Sequence, residues 1–372
     1  MTAAGMTAAA ADDRPGPDPG GLLRVGSWPG PAGAGQNQFI RLFLDGLASA
    51  GCTIVALDEV AAIGRRRDLD ILILHWPERV FREAPGRIAA LRKLRALPRL
   101  LDGRAPGTKV VWLAHNLEPH DARPLQRLLW APFMRALTAR VDAVLTLAPG
   151  TLAPVLAAFP ALGPKPAHAA WHPAYPGAAV SEAERLALRR ARGWDEKVRV
   201  LGYCGQVRRY KGVDTLLAAF RRTTDPALRL LVAGQPWRAG PLIGDLEAAA
   251  AADARIALDL RDLPEADFRA ALGSADVVVA PFRRYLHSGS LIHALSAARP
   301  VLTPATPFAE SLQTALGPDW VRTWRGPLTA ARLAAGAAPR PAGAPPMAAF
   351  AAAAVGADVA VWLRTLSGRG HR

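Results

Sequence analysis

Two stretches of this chain combine residue types that bind anions. In the first, an apolar run ends at Gly205 and a basic turn follows with Gln206, Arg208, Arg209 and Lys211. Gly212 then leads into a segment with Val213, Leu216, Leu217 and Phe220 at helical spacing. A strand, a basic turn and a helix start together suit phosphate, and they also suit an ordinary βα turn with solvated basic residues. The free N–H groups of the first helical turn and the positive end of the helix dipole attract an anion. Lys211 and an arginine add full charges, and glycine lets a ligand approach the backbone. In the second stretch, the apolar run Asp276–Pro281 leads through a loop to His287-Ser288-Gly289-Ser290. The hydroxyls and amides of that helix start could hold a second phosphate, although SGS also suits a plain helix N-cap. Two such helix starts, both following strands of one domain, fit a diphosphate.

The elements that must position these residues alternate along the chain. Strands are predicted at Leu22–Trp28, Cys52–Leu57, Asp70–Trp76, Lys109–His115 and Asp142–Leu147, with helices at Phe39–Ala50, Gly86–Leu101 and Pro124–Thr138. Nearly continuous apolar strands alternating with helices indicate a parallel sheet covered on both faces. The proline-rich, aromatic stretch 154–176 reads as an interdomain linker. Ser181 and Glu184 then fit a capping box. The alternation resumes with strands at Val200–Gly205, Leu228–Ala233, Ile256–Leu260, Asp276–Pro281 and Pro300–Thr303, and Met347–Leu366 reads as one closing helix. The expected class is α/β, with two Rossmann-like doubly wound domains, a cleft between them and a C-terminal helix. The expected division is a disordered tail over 1–20, a first domain over 21–176 and a second over 177–346. Residues 347–372 form a helix expected to pack back on the first domain. In such sheets a ligand sits beyond the strand carboxyl ends, so the loops after Trp28, Trp76, His115, Gly205, Gly234 and Pro281 should share one cavity.

Composition narrows the partners. The 372 residues carry a net charge of +15, and the segment from Glu78 to Arg140 holds 13 Lys and Arg against 5 Asp and Glu. That surface suits anionic lipid or a phosphorylated substrate. No nucleic-acid motif and no aromatic-rich basic sheet accompanies it. Arg92, Arg95 and Arg99 recur on one helix. Trp130, Phe133 and Met134 beside Arg127 and Arg135 fit either an interfacial surface or a core face with solvated arginines. No apolar run reaches the ~20 residues that span a bilayer, and the first twenty residues lack the pattern of a signal peptide. Cys52 and Cys204 read as buried free thiols of a cytosolic protein. No cofactor and no metal is expected.

Gly205 with Lys211-Gly212 and the LLAAF that follows, LLVAGQP at Leu230–Pro236, and Ala275-Asp276, Pro281, Ala294-Leu295 and Arg299-Pro300-Val301 resemble the donor half of GT-B glycosyltransferases of the family-4-like group. The resemblance implies transfer of a sugar from a nucleotide diphosphate sugar without an obligatory metal, with 21–176 as the acceptor-binding domain and 177–346 as the nucleotide-sugar-binding domain. It places the diphosphate on Lys211 with Ser288–Ser290 beside it, and turns His115 toward the donor sugar. Two departures stand out. Gln206 occupies the position where the family usually has arginine, leaving Arg208 or Arg209 to replace its charge. Retaining members carry two glutamates eight positions apart, and those slots hold Tyr285 and His293 here. His293 could still bind a ribose, but the retaining signature is absent.

The HWPE and HNLEPHD segments are similar to those of bacterial exopolysaccharide mannosyltransferases of the GumI type, which implies GDP-mannose and inversion. Inversion needs one general base on the acceptor hydroxyl, opposite the leaving diphosphate. Asp121 is the first candidate and Glu118 the second, with His120 and Glu78 behind them. The implied partners are a nucleotide-sugar donor, a saccharide or polyprenyl-linked acceptor and an anionic membrane surface. The expected place is the cytoplasm, peripheral to the inner face of the cell membrane. A GT-B nucleotide-sugar epimerase and a noncatalytic glycosyltransferase-like protein are the alternatives.

Overall fold

The computed structural model describes residues 22–34, 38–82, 87–119 and 124–369, so the predicted N-terminal tail lies outside the described residues. The first domain contains β1 (Leu23–Trp28), α1 (Gln38–Ser49), β2 (Cys52–Ala56), α2 (Val60–Arg65) and β3 (Ile71–His75). It continues with α3 (Arg79–Arg82), α4 (Arg87–Asp102), β4 (Lys109–Leu113), α5 (Pro124–Arg140), β5 (Ala143–Thr146), α6 (Leu152–Ala158) and β6 (Ala167–Ala169). The sheet is parallel, ordered β2-β1-β3-β4-β5-β6. Alternate residues of β3 face opposite cores. Ile71 and Ile73 pack with Phe39, Phe43 and Val111 on the α1 side. Leu72 and Leu74 pack with Leu97, Phe133 and Leu137 on the α4–α5 side. Both faces are dry, which is why the strand reads as an unbroken apolar run.

The second domain contains α7 (Glu182–Arg190), β7 (Arg199–Cys204), α8 (Val213–Phe220), β8 (Leu228–Ala233), α9 (Leu242–Ala252), β9 (Ile256–Asp259) and α10 (Glu265–Ser274). It continues with β10 (Val277–Val279), α11 (Gly289–Ser296), β11 (Val301–Pro304), α12 (Pro307–Leu316), β12 (Val321–Trp324) and α13 (Ala330–Gly336). This parallel sheet is ordered β12-β11-β10-β7-β8-β9. Its strand order reverses between β7 and β10, the switch point where such sheets leave a crevice for a ligand. Asp276 fastens that point. One carboxylate oxygen accepts the Val200 N–H at 2.7 Å and lies 2.5 Å from buried Arg189, so this motif aspartate is structural. Half of the capping box forms: the Ser181 hydroxyl accepts the Glu184 N–H at 3.1 Å, while the Glu184 carboxylate pairs with Arg269 at 2.7 Å. Cys52 and Cys204 are buried and free.

The two sheets have six strands each, one more than the sequence predicts. The stretch read as an irregular linker holds α6 and β6, and β12 follows the last predicted strand. β6 is a partly buried three-residue edge strand, too short to show a period. The closing segment is a 3₁₀ turn (Ala348–Phe350) followed by α14 (Ala352–Leu366), which lies against α1. There the two backbones touch: a Cβ on Gly356 would fall 2.0 Å from the Gly46 carbonyl. Arg364 donates to Ala50 O at 2.7 Å, and His168 bonds Asp358 at 2.9 Å. No helix is long and apolar enough to cross a membrane among the described residues. Phe133 and Met134 are core residues, which corrects their reading as an interfacial surface. Trp130 is partly buried and donates its indole N–H to Leu117 O. Leu128 stays 73% exposed between the exposed Arg127 and Arg135.

Candidate functional site: a cationic pocket beside a histidine floor

Gly205 ends β7 with φ +138°, a conformation that favours glycine. A Cβ there would stand 3.4 Å from Ser290 Oγ and 3.7 Å from Lys211 Nζ. An ammonium and a hydroxyl from separate loops therefore converge on one open Cα. Lys211 lies in the 3₁₀ turn Arg209–Lys211, with Nζ 5.2 Å from the Phe282 ring centroid. Burial pushes its ammonium down to about 8, and repulsion by Arg208 adds to this. A partly buried cation in that state is stabilised by an arriving anion. Gly212 (φ +71°) seats the α8 start against the end of β10, since a Cβ would lie 2.1 Å from Pro281 O. Gly234 packs on Gly205 in the same way, at 2.2 Å from its carbonyl oxygen. The loop after β7 and the loop that opens α11 thus meet at Gly205.

Next to this cationic end lies a floor of imidazoles. His75 Nδ1 and His115 Nε2 are 3.1 Å apart, and His115 stacks on Trp76 with centroids 4.1 Å apart. Phe39 from α1 meets His115 edge-on and leans on His172. His293 stacks on Tyr175 at 4.3 Å. Burial lowers His75 and His287 to about 3 and His172 and His293 to about 4, and it takes His115 well below its ordinary value. These rings are neutral near pH 7. Each then offers one N–H and one lone pair, a match for hydroxyls more than for phosphate. Among the described residues no group of three His, Cys, Asp or Glu side chains could hold a metal ion.

Two cavities flank this centre. The first, about 600 Å³, is lined by Gly205, Gln206, Gly234 and His293, with Gln38 and Arg41 facing them from α1. The second, about 840 Å³, opens between Glu118, Arg127 and Trp130 of the first domain and Arg209, Arg284 and Tyr285 of the second. Several expected residues land elsewhere than the motif reading placed them. Arg209 lines the second cavity, away from Gly205, because the 3₁₀ turn points Arg209 and Lys211 in different directions. Arg208 lies over the Trp237 ring at 5.7 Å. His287 is tied to the first domain, its Nε2 accepting the Leu147 N–H at 3.0 Å with Thr151 Oγ1 at 2.9 Å. Ser288 is the α11 N-cap and accepts the Leu291 N–H, which leaves Ser290 as the inward hydroxyl. A Cβ on Gly289 would meet Tyr175 Oη at 2.8 Å.

Of the base candidates, Glu118 is 73% exposed at the mouth of the second cavity, 3.8 Å from Arg284. Glu78 is buried and already engaged within the chain. His120 and Asp121 lie outside the described residues. Tyr285, in one retaining-glutamate slot, bonds Thr303 at 3.1 Å and Thr306 at 3.0 Å. Motif reading missed His172 and Tyr175, which the linker carries into the cleft, and Phe268 on α10. A histidine and a tyrosine inside a proline-rich stretch were the available signal.

Comparison with known proteins agrees with this geometry. Residues 198–317 match the model described as glycosyl transferases group 1. A GDP-mannose:glycolipid 4-beta-D-mannosyltransferase of Xanthomonas campestris pv. campestris is 31% identical over 269 residues, covering 71% of this chain and 69% of that protein. Among solved structures, sucrose-phosphate synthase from Thermosynechococcus elongatus superposes with a TM-score of 0.63 at 14% identity, covering 94% of this chain and 97% of that one. Anabaena HepE in complex with UDP gives 0.59 at 12%, covering 94% and 98%. WaaG, a glycosyltransferase involved in lipopolysaccharide biosynthesis, gives 0.56 at 17%, covering 93% and 98%. These likenesses show the fold. With two six-stranded parallel sheets, a cationic switch point and a relative above 30% identity, the chain belongs to the group 1 glycosyltransferases of GT-B fold.

Proposed function

We propose that this glycosyltransferase takes its sugar from GDP-mannose and passes it, with inversion, to a saccharide or polyprenyl-linked saccharide. The observation that carries the donor site is the convergence of Lys211 Nζ and Ser290 Oγ on Gly205. In this reading the diphosphate lies there, and the sugar rests over the neutral His115 with Trp76 behind it. Charge builds on the leaving diphosphate as the glycosidic bond breaks. Preorganised donors facing that charge lower the barrier by about 3 kcal/mol each where well placed. The GDP-mannose activity of the Xanthomonas relative supports mannose and guanosine, and Tyr285 and His293 in the retaining-glutamate slots favour inversion.

The acceptor enters through the second cavity, whose mouth is basic and partly aromatic. Asp121 or Glu118 takes the proton from the attacking hydroxyl as the new bond to the anomeric carbon forms. The exposed strip of Arg127, Leu128 and Arg135 on α5 would rest on an anionic membrane surface.

Thermal unfolding with GDP, UDP and their sugars tests the donor site. A ligand at 100 times its dissociation constant adds about 2.7 kcal/mol of stability. Lys211→Ala should lose that shift, and a full shift in the variant would refute the assignment. A donor-only reaction that yields an epimerised nucleotide sugar would replace transfer with epimerisation.

A further inference from the structure

The first cavity borders groups of both signs. Lys211 and Ser290 converge on Gly205, one of its lining residues, and Arg41 of α1 lines it too. His293 follows Ser290 by one helical turn of α11, on the same side. Beyond His293 stands α10. Phe268 has its ring centroid 4.9 Å from that of His293, and the Glu265 carboxylate is close enough to act on the His293 imidazole. The α10 end of the cavity, where Glu265 lies, is built by a different element from the loops that carry Lys211 and Ser290. Leu263, Pro264 and Phe268 give this end apolar surfaces. Two carboxylates line it. Asp262 is engaged within the chain, whereas the Glu265 side chain has no hydrogen-bond or ion-pair partner among the described residues.

A nucleoside diphosphate held by its phosphates at Lys211 would direct its base to that acidic end. The hydrogen-bonding edges of the bases then separate the choices. Guanine presents two adjacent donors, N1–H and the 2-amino group, which match the two oxygens of one carboxylate. Uracil presents one N–H between two carbonyl oxygens, and both would face the carboxylate lone pairs. Adenine and cytosine pair one amino donor with a ring acceptor, so a carboxylate gains one bond and meets one repulsion. We infer that Glu265 reads the base of the donor, accepting N1–H and the 2-amino group of guanine, and so makes this site selective for guanosine diphosphate sugars. The inference rests on the donor-site reading above and adds the residue that sets base selectivity.

Calorimetric titration of the full chain with GDP, IDP and UDP tests it. IDP keeps N1–H and lacks the 2-amino group, so it removes one of the two contacts. A hydrogen bond to a charged group supports a difference of about tenfold or more. The wild-type protein should bind GDP about tenfold more tightly than IDP, and UDP more weakly than either. In Glu265→Gln the GDP-to-IDP ratio should fall to within about twofold, while inorganic pyrophosphate binds as in the wild type. Asp262→Asn should keep the ratio. A Glu265→Gln protein that retains the wild-type ratio overturns the assignment of Glu265. Tighter binding of UDP than GDP overturns guanine selectivity but leaves the diphosphate pocket standing. No binding of any of the three nucleotides or pyrophosphate overturns the donor-site reading, and this inference with it.

Discussion

Lys211 should make donor binding depend on pH in a way that a permanently charged residue would not. Burial and Arg208 push its ammonium down to about 8. A diphosphate binds the protonated form and holds its proton, so affinity is full below that value and is lost as pH rises through it. About 90% of the free protein carries the charge at pH 7, and about 10% at pH 9. The dissociation constant for GDP should therefore rise about tenfold between those pH values, a change of about 1.4 kcal/mol. Lys211→Arg stays charged throughout and should lack this slope. Titration of the nucleotide itself is common to both proteins and divides out of their ratio. Isothermal calorimetry at half-unit steps from pH 7 to 9 measures both. Parallel curves for the wild type and Lys211→Arg would refute the placement of Lys211 against the diphosphate. The same lowered value has the opposite sign for folding. The unfolded chain holds the proton up to its ordinary value near 10.4, so this group's contribution to stability rises with pH between about 8 and that value.

Gly356→Ala should lower the melting temperature by several degrees. Its Cβ would fall 2.0 Å from the Gly46 carbonyl, and overpacking of this kind costs about 1–3 kcal/mol; an unchanged melting curve would contradict the close helix crossing. His287→Ala leaves the Leu147 N–H without its imidazole acceptor, at about 1–3 kcal/mol. Differential scanning calorimetry should record lower stability, while GDP affinity stays within about threefold, because Lys211 and Ser290 are untouched.

The sequence by itself determined the fold class and the cationic end of the site. Both depend on local pattern: Val, Ile and Leu runs dictate buried strands, and Gly205, Lys211 and Ser290 each follow a strand at the place where a parallel sheet leaves its ligands. The sequence also located His115 and His293, since each follows a recognisable strand or helix start. It did not reveal β6, a three-residue edge strand without period, or that the closing helix crosses α1 at Gly46 and Gly356, which are separated by most of the chain. Only the tertiary structure decided which polar residues share a surface. It turned Arg209 to the second cavity, tied His287 to the first domain, made Ser288 a cap and left Ser290 inward. It also brought Tyr175 out of the linker and Glu265 from α10 to one cavity, and buried His172 against Phe39. The physical reason is that side-chain direction at a loop is set by what the loop packs against. Those neighbours come from strands and helices far away in the chain, so residue type and spacing cannot supply them.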